Sequence, residues 1–171
     1  MAAFAYRLRQ GFSALRPRVP DNRDAILASV LTPRQAMAFR ALPDHDQADL
    51  CRTFDILRSH GVEDHNLLVA GLLHDLGKAD GASRVRLPHR IVRVLLGRLA
   101  PRLLARLARM PAPPWRHGLA LAVHHPRLGA EQASSLGCSP RTSWLIAHHE
   151  ADPAPKDPDL RRLMAADHAA R

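Results

Sequence analysis

Apolar residues recur along most of this chain at intervals of three and four positions, the spacing of amphipathic α-helices rather than of strands. No run of alternating β-branched residues predicts a sheet. Thr32 followed by Pro33 is typical of a helix start, and Gly61 and Gly137 are typical of helix ends. The pattern predicts an all-α protein with helices at about residues 2–15, 21–31, 33–41, 44–60, 66–76, 87–109, 117–123, 128–136, 139–149 and 158–170.

One segment, residues 87–110, is strongly amphipathic. Apolar residues return at every fourth position from Ile91 to Leu107, while arginines such as Arg98 lie elsewhere around the helix. A basic amphipathic helix of this kind can rest on an anionic membrane surface or form a dimer contact. An ordinary helix that packs its apolar side on the core has the same pattern, and Pro101 can divide the segment into two shorter helices.

Length and composition predict one helical domain with its own core. We expect a basic N-terminal extension at about residues 1–41 and a metal-binding core at about 42–170. Cys51 and Cys138 are the only cysteines, which is no disulfide framework and fits a reducing compartment. No apolar stretch is long enough to cross a bilayer, so we expect a cytoplasmic protein.

The charge balance predicts anionic partners. The formal net charge is +9, and the stretch between Asp80 and Glu131 contains no acidic residue but ten arginines. Such a surface would concentrate phosphate-bearing molecules near it. A compositional bias toward arginine on a solvated face gives the same pattern, and no nucleic-acid motif accompanies these residues.

Histidines and carboxylates follow apolar helical turns at four places, which predicts a metal site held by packed helices. Imidazole and carboxylate together suit zinc, iron or manganese better than magnesium or calcium. The candidate ligands lie in His74-Asp75, His124-His125-Pro126, His148-His149-Glu150 and at Asp167.

These residues, in this order, resemble the HD superfamily of metal-dependent phosphohydrolases over about residues 42–170. The stretch His74-Asp75-Leu76-Gly77-Lys78 is similar to the His-Asp-x-Gly-Lys signature of that family. The stretch from His125 to Glu131 is similar to its His-Pro-x-x-Gly-Ala-Glu segment. The resemblance implies a compact multi-helix bundle with a central metal site.

The first ligand of the family pattern has two candidates here. His45 lies 29 residues before His74, whereas an alternative alignment places Asp49 at the ligand position. The two residues are four apart and share one face of a helix, so both can bind metal.

The resemblance also implies how the site would work. Asp75 would bridge two metals and, with Lys78 at the substrate phosphate, would form the catalytic pair. One to three divalent transition metals per chain are expected, from among Mn, Fe, Zn, Ni and Co. The implied ligands are His74, Asp75, Asp167 and His45 or Asp49 for one metal, with His125, His148 and His149 for another.

Three functions are compatible with the sequence. The first is hydrolysis of a nucleotide or another small phosphate ester by a metal-activated hydroxide. Cyclic-di-GMP is disfavoured as the substrate, because Ala151-Asp152-Pro153 stands where that branch of the family has Gly-Tyr-Pro. The second is a non-catalytic metal-containing module that senses an anionic ligand, membrane or partner. Nucleic-acid binding through the basic face comes last.

Overall fold

The computed structural model describes residues 19–151 and 156–170, and within these ranges the chain is all-helical, as predicted. One isolated bridge between Ala79 and Arg84 is the only β-pairing there. The predicted helix at about residues 2–15 lies outside the described ranges. The helices are α1 (Arg23–Val30), α2 (Pro33–Arg40), α3 (Asp44–Ser59), α4 (His65–Leu73), a 3-10 turn (Leu76–Lys78), α5 (Leu87–Leu99), α6 (Pro101–Leu107), α7 (Pro114–Ser135), α8 (Pro140–His148) and α9 (Pro158–Ala170).

Local capping explains where several of these helices begin. The Thr32 hydroxyl accepts from the Gln35 amide, and the Gln35 side chain accepts from the Thr32 amide, so α2 starts with a complete capping box. The Asp64 carboxylate accepts from the Leu67 amide at the start of α4. Each bond satisfies an amide that has no partner inside the helix, and this fixes the first turn.

Helix α4 is the centre of the main hydrophobic core. Its residues from Leu67 to Leu73 are all buried, as expected for a helix that is apolar on every side. Complete burial of one leucine side chain contributes about 2 kcal/mol. Leu27 of α1 and Phe39 of α2 are fully buried in the same core, as are Leu145 of α8 and Leu163 of α9.

Two prolines change the predicted helix boundaries. The separate helices predicted at about 117–123 and 128–136 are wrong, because α7 runs unbroken through Pro126. A proline removes only one hydrogen bond, and packing of the surrounding turns holds this helix together. Pro101 does divide the predicted 87–109 helix, because the residue before a proline disfavours helical geometry.

Helix α5 turns its polar side toward the protein and its apolar side outward. Arg90 donates to the Asp46 carboxylate at 2.7 Å, and Arg93 donates to Glu150 at 3.1 Å. No residue of α5 or α6 is buried, and Ile91 and Leu99 are 50% and 80% exposed. The interpretation of this segment as a core-facing helix that exposes its arginines is therefore wrong. No helix in the described ranges is long and apolar enough to cross a bilayer.

Candidate metal centre

Three histidines and two carboxylates converge where α4, α7, α8 and α9 meet. The side chains come from two helix ends, from the middle of α7 and from α9, so four separate elements hold them. All five residues are buried, and the low dielectric of the interior strengthens their interaction with a cation. They are His74, Asp75, His125, His149 and Asp167.

One carboxylate oxygen lies at the centre of three imidazoles. The distances from Oδ1 of Asp75 are 3.8 Å to Nε2 of His74, 3.6 Å to Nε2 of His125 and 3.8 Å to Nε2 of His149. These separations are too long for hydrogen bonds. They approach the ~3.3–3.6 Å that separates two ligand atoms of one tetrahedral metal with ligand bonds of about 2.0–2.2 Å.

Each of the three imidazoles is held by a backbone carbonyl of its own chain segment. Because a carbonyl can only accept, Nδ1 is the nitrogen that donates, which leaves Nε2 of His125 and of His149 with the lone pair that can bind metal. His74 faces an acceptor at each nitrogen, the Gly71 carbonyl at Nδ1 and the Asp167 carboxylate at Nε2. The acceptors are Gly71 for His74 at 3.1 Å, Ala122 for His125 at 3.1 Å and Ile146 for His149 at 2.7 Å.

The sequence makes these carbonyls available in two ways. His74 and His149 stand at the C-terminal ends of α4 and α8, where the last carbonyls of a helix lack backbone donors. His125 is in the middle of α7, but the residue after it is Pro126. Since proline has no N–H, the Ala122 carbonyl four residues earlier is left to the His125 ring.

Two of the imidazoles carry a buried nitrogen with no hydrogen bond. Among the described residues, Nε2 of His125 and Nε2 of His149 have no hydrogen-bond partner. Burial lowers the pKa of His125 to about 3, and burial with the neighbouring His74 lowers the pKa of His149 to about 4. Both rings are therefore neutral at pH 7, which is the form that binds metal. A buried polar atom without a partner is costly, and a bound cation would satisfy it.

Glu150 adds a carboxylate that was not among the predicted ligands. A ring nitrogen of His125, a ring nitrogen of His149 and a carboxylate oxygen of Glu150 lie within 4.8 Å of one another, and they form a second group of possible ligands. Burial raises the pKa of Glu150, but the charge of His125 and the Arg93 guanidinium outweigh it and lower the pKa to about 2. At neutral pH, Arg93 is the cation that remains beside this carboxylate. The sequence signal that could have identified Glu150 as a ligand is its position directly after His149 at the end of α8.

The remaining contacts of the cluster involve Lys78 and Asp167. Lys78 is buried, and its ammonium pairs with Oδ2 of Asp75, on the opposite side of the carboxylate from the imidazoles. Oδ1 of Asp167 lies 3.2 Å from Nε2 of His74. The predicted residues His74, Asp75, Lys78, His125, His149 and Asp167 therefore lie together.

Four predicted ligands belong to neither of the two groups of possible ligands, which are His74 with Asp75 and His149, and His125 with His149 and Glu150. Of these four, Asp167 still contacts His74, whereas the other three make different contacts. The His148 ring stacks on Trp144 at 4.5 Å, and its Nδ1 lies 2.8 Å from the Trp144 carbonyl. Nε2 of His45 lies 3.4 Å from the Asp46 carboxylate. The Asp49 carboxylate pairs with an arginine one turn along α3, and burial raises its pKa.

The donor set suits a transition metal. Imidazole nitrogens with carboxylate oxygens fit zinc, iron, manganese, cobalt or nickel, whereas magnesium and calcium prefer oxygen ligands alone. Comparison with known proteins gives no match to a family model, to a curated protein or to a solved structure.

Proposed function

We propose that this chain is a metal-dependent phosphohydrolase of the HD type, acting on a nucleotide or another small phosphate ester. The observation that carries the proposal is the arrangement of three imidazole nitrogens around Oδ1 of Asp75 at 3.6–3.8 Å. Two of these nitrogens, on His125 and His149, are buried without a hydrogen bond among the described residues. Such a donor set has little use without a cation.

A bound transition metal would lower the pKa of a coordinated water and neutralise charge on the phosphoryl oxygens. The protein's own groups prepare for this chemistry. Asp75 contributes Oδ1, while the Lys78 ammonium pairs with Oδ2 on the other side of the carboxylate. Nδ1 of His125 and of His149 donates its proton to a backbone carbonyl, so Nε2 of each ring remains available as a ligand.

Arginines at the rim of the site can receive the substrate phosphate. The side chains of Arg90 and Arg93 are partly exposed; Arg93 pairs with Glu150 beside the buried cluster, and Arg90 pairs with Asp46 of α3. A guanidinium binds a phosphate through two parallel N–H bonds. A substrate phosphate would therefore compete with these carboxylates for the same donors.

Elemental analysis combined with a phosphoester panel tests the proposal. Full-length protein purified without chelator should retain at least one of Mn, Fe, Co, Ni or Zn per chain. It should also hydrolyse a phosphomonoester or phosphodiester, such as p-nitrophenyl phosphate or its bis ester. Chelation should abolish turnover and added metal should restore it. Asp75→Asn should lose both metal and turnover, and a protein that takes up no transition metal would contradict the proposal.

A second candidate function is a metal-containing module without catalysis. The observation in its favour is that His45 and Asp49 contact neighbouring side chains and belong to neither group of possible ligands. A module of this kind would bind metal in the elemental analysis but turn over no member of the ester panel with any of the five metals. It would keep its anionic ligand when Lys78 is replaced by methionine, whereas an enzyme would lose turnover.

A further inference from the structure

Helix α5 exposes an apolar face that nothing in the described part of the chain covers. Leu87, Ile91, Leu95 and Leu99 are 52%, 50%, 49% and 80% exposed. At 100° per residue they occupy the side of the helix opposite Arg93, which faces the metal centre. A helix on a protein surface ordinarily buries its apolar side, so this reversed orientation indicates a surface that binds something.

The segment that carries this face has basic residues and no acidic ones. The sequence has no acidic residue between Asp80 and Glu131. Arg98 lies among the exposed apolar side chains of α5, so the expectation that it lies on another side of the helix is wrong. Arg102 and Arg106 are exposed on α6. We define the α5–α6 surface by its exposed residues Leu87, Ile91, Val92, Val94, Leu95, Arg98, Leu99, Arg102, Leu103 and Arg106.

This combination of chemistry selects among possible partners. A second copy docked face to face would bring Arg98 and Arg102 against the same arginines with no carboxylate in the segment to pair them. A nucleic acid would engage the arginines but leave the aliphatic side chains in water, since they offer no stacking surface. An anionic lipid surface satisfies both, because its headgroups attract arginine and its acyl boundary accepts leucine.

We propose that the α5–α6 surface docks this protein on an anionic phospholipid bilayer. Helix α5 is about 20 Å long and would lie in the plane of the interface. Ile91, Leu95 and Leu99 enter the acyl boundary, and the exposed arginines contact lipid phosphates. The opposite side of the helix keeps its bonds to the metal centre, so docking places that centre next to the membrane surface. The inference is independent of the proposed activity.

Vesicle flotation of the full-length protein tests the proposal. We expect binding to vesicles of equal parts phosphatidylcholine and phosphatidylglycerol, and little binding to phosphatidylcholine alone. The variant Ile91→Ser/Leu95→Ser should bind about tenfold less for each leucine-sized side chain removed. The variant Arg98→Gln/Arg102→Gln should bind about fivefold less for each charge removed. All four substituted positions are exposed, so the variants should fold normally. An unchanged thermal unfolding temperature would verify this for each variant.

Met37→Ser provides the matched control, since Met37 is a 69% exposed apolar residue on α2, outside this surface. It should bind vesicles like the wild type. Failure of the wild-type protein to bind anionic vesicles, or wild-type binding by Ile91→Ser/Leu95→Ser, would overturn the proposal. Sedimentation velocity supplies a further test, because a dimer that this double variant dissociates would assign the surface to a second copy instead. Binding of a DNA duplex that the arginine variant loses and the serine variant keeps, without vesicle binding, would also overturn it.

Discussion

Gly77 in the 3-10 turn and Gly129 in α7 are packed backbone against backbone. A Cβ on Gly77 would lie 2.5 Å from the amide nitrogen of Gly129 and 2.2 Å from the carbonyl oxygen of His125. Only glycine allows this approach, because any side chain would displace backbone rather than a flexible group. The contact sets the distance between Asp75, two residues before Gly77, and the imidazole of His125.

Gly77→Ala should destabilise the protein by about 3 kcal/mol, because overpacking against backbone cannot be relieved by a rotamer change. It should also weaken metal binding by moving Asp75. Urea denaturation and metal titration measure the two effects. Gly97→Ala is the control, since a Cβ there meets only a leucine methyl at 3.8 Å, and alanine should stabilise α5 by up to about 1 kcal/mol. Equal stability of the two variants would contradict the packing described.

The neighbouring histidines of α8 should differ sharply in metal binding. His149→Gln removes a buried nitrogen that faces Asp75 at 3.8 Å, so we expect metal affinity to fall more than about 100-fold. His148→Gln removes a ring that stacks on Trp144, and metal affinity should stay within a few-fold of the wild type. Competition titration with a chromogenic chelator measures both. The reverse order of affinities would place His148 at the metal instead.

Pro126→Ala should separate helix stability from metal affinity. Alanine restores an N–H that can donate to the Ala122 carbonyl, so α7 gains a backbone hydrogen bond and the free energy of unfolding should not fall. That donor competes with Nδ1 of His125 for the same oxygen. We expect metal affinity to drop about tenfold, as is typical when the outer partner of a ligating histidine is lost. Unchanged affinity in the same chelator competition would show that the carbonyl does not orient the ring.

The metal-free protein should lose stability on mild acidification. The pKa values of His125 and His149 are about 3 and about 4 in the folded chain, below the ordinary value of 6.5. The unfolded chain therefore binds more protons in this range, and stability that is present above pH 6.5 is lost as the pH falls. Each imidazole should remove about 2 kcal/mol between about pH 7 and about pH 5.

Urea unfolding of chelator-treated protein at several pH values measures this slope. His149→Gln lacks one of the two titrating rings, so its stability should depend on pH about half as steeply as that of the wild type. A pH-independent unfolding midpoint in the wild type would mean that these rings titrate alike in the folded and unfolded chain, and would contradict their lowered pKa values.

Much of the helical architecture could be predicted from sequence, because apolar periodicity and capping are local. The Thr32 capping box and the core helix α4 follow directly from neighbouring residues. The direction that α5 faces could not be predicted, because its apolar side and its polar side are equally well formed. What decides it is long-range: the pairing of Arg93 with Glu150 turns the polar side inward.

The same limit applies to the metal centre. The order of histidines and carboxylates predicted that Asp75, His125 and Asp167 lie together, and the structure brings them to one buried cluster. Both His148 and His149 were predicted as ligands, but neighbouring residues on a helix point about 100° apart, and only His149 faces Asp75. Sequence patterns locate helix ends to within several residues only, so they could not show which of the two rings turns inward.

Each of the three imidazole rings donates to the carbonyl of the residue three positions earlier, so its orientation is set locally. Each donor atom is aimed by a short stretch of chain, so the ligands are oriented as soon as their own helices form. Tertiary folding then has only to bring three rigid groups together, and the stripped protein should keep its shape. For Glu150 to bind the ion, the Arg93 guanidinium would have to release it, whereas the imidazoles of His125 and His149 already present a nitrogen without a hydrogen bond among the described residues.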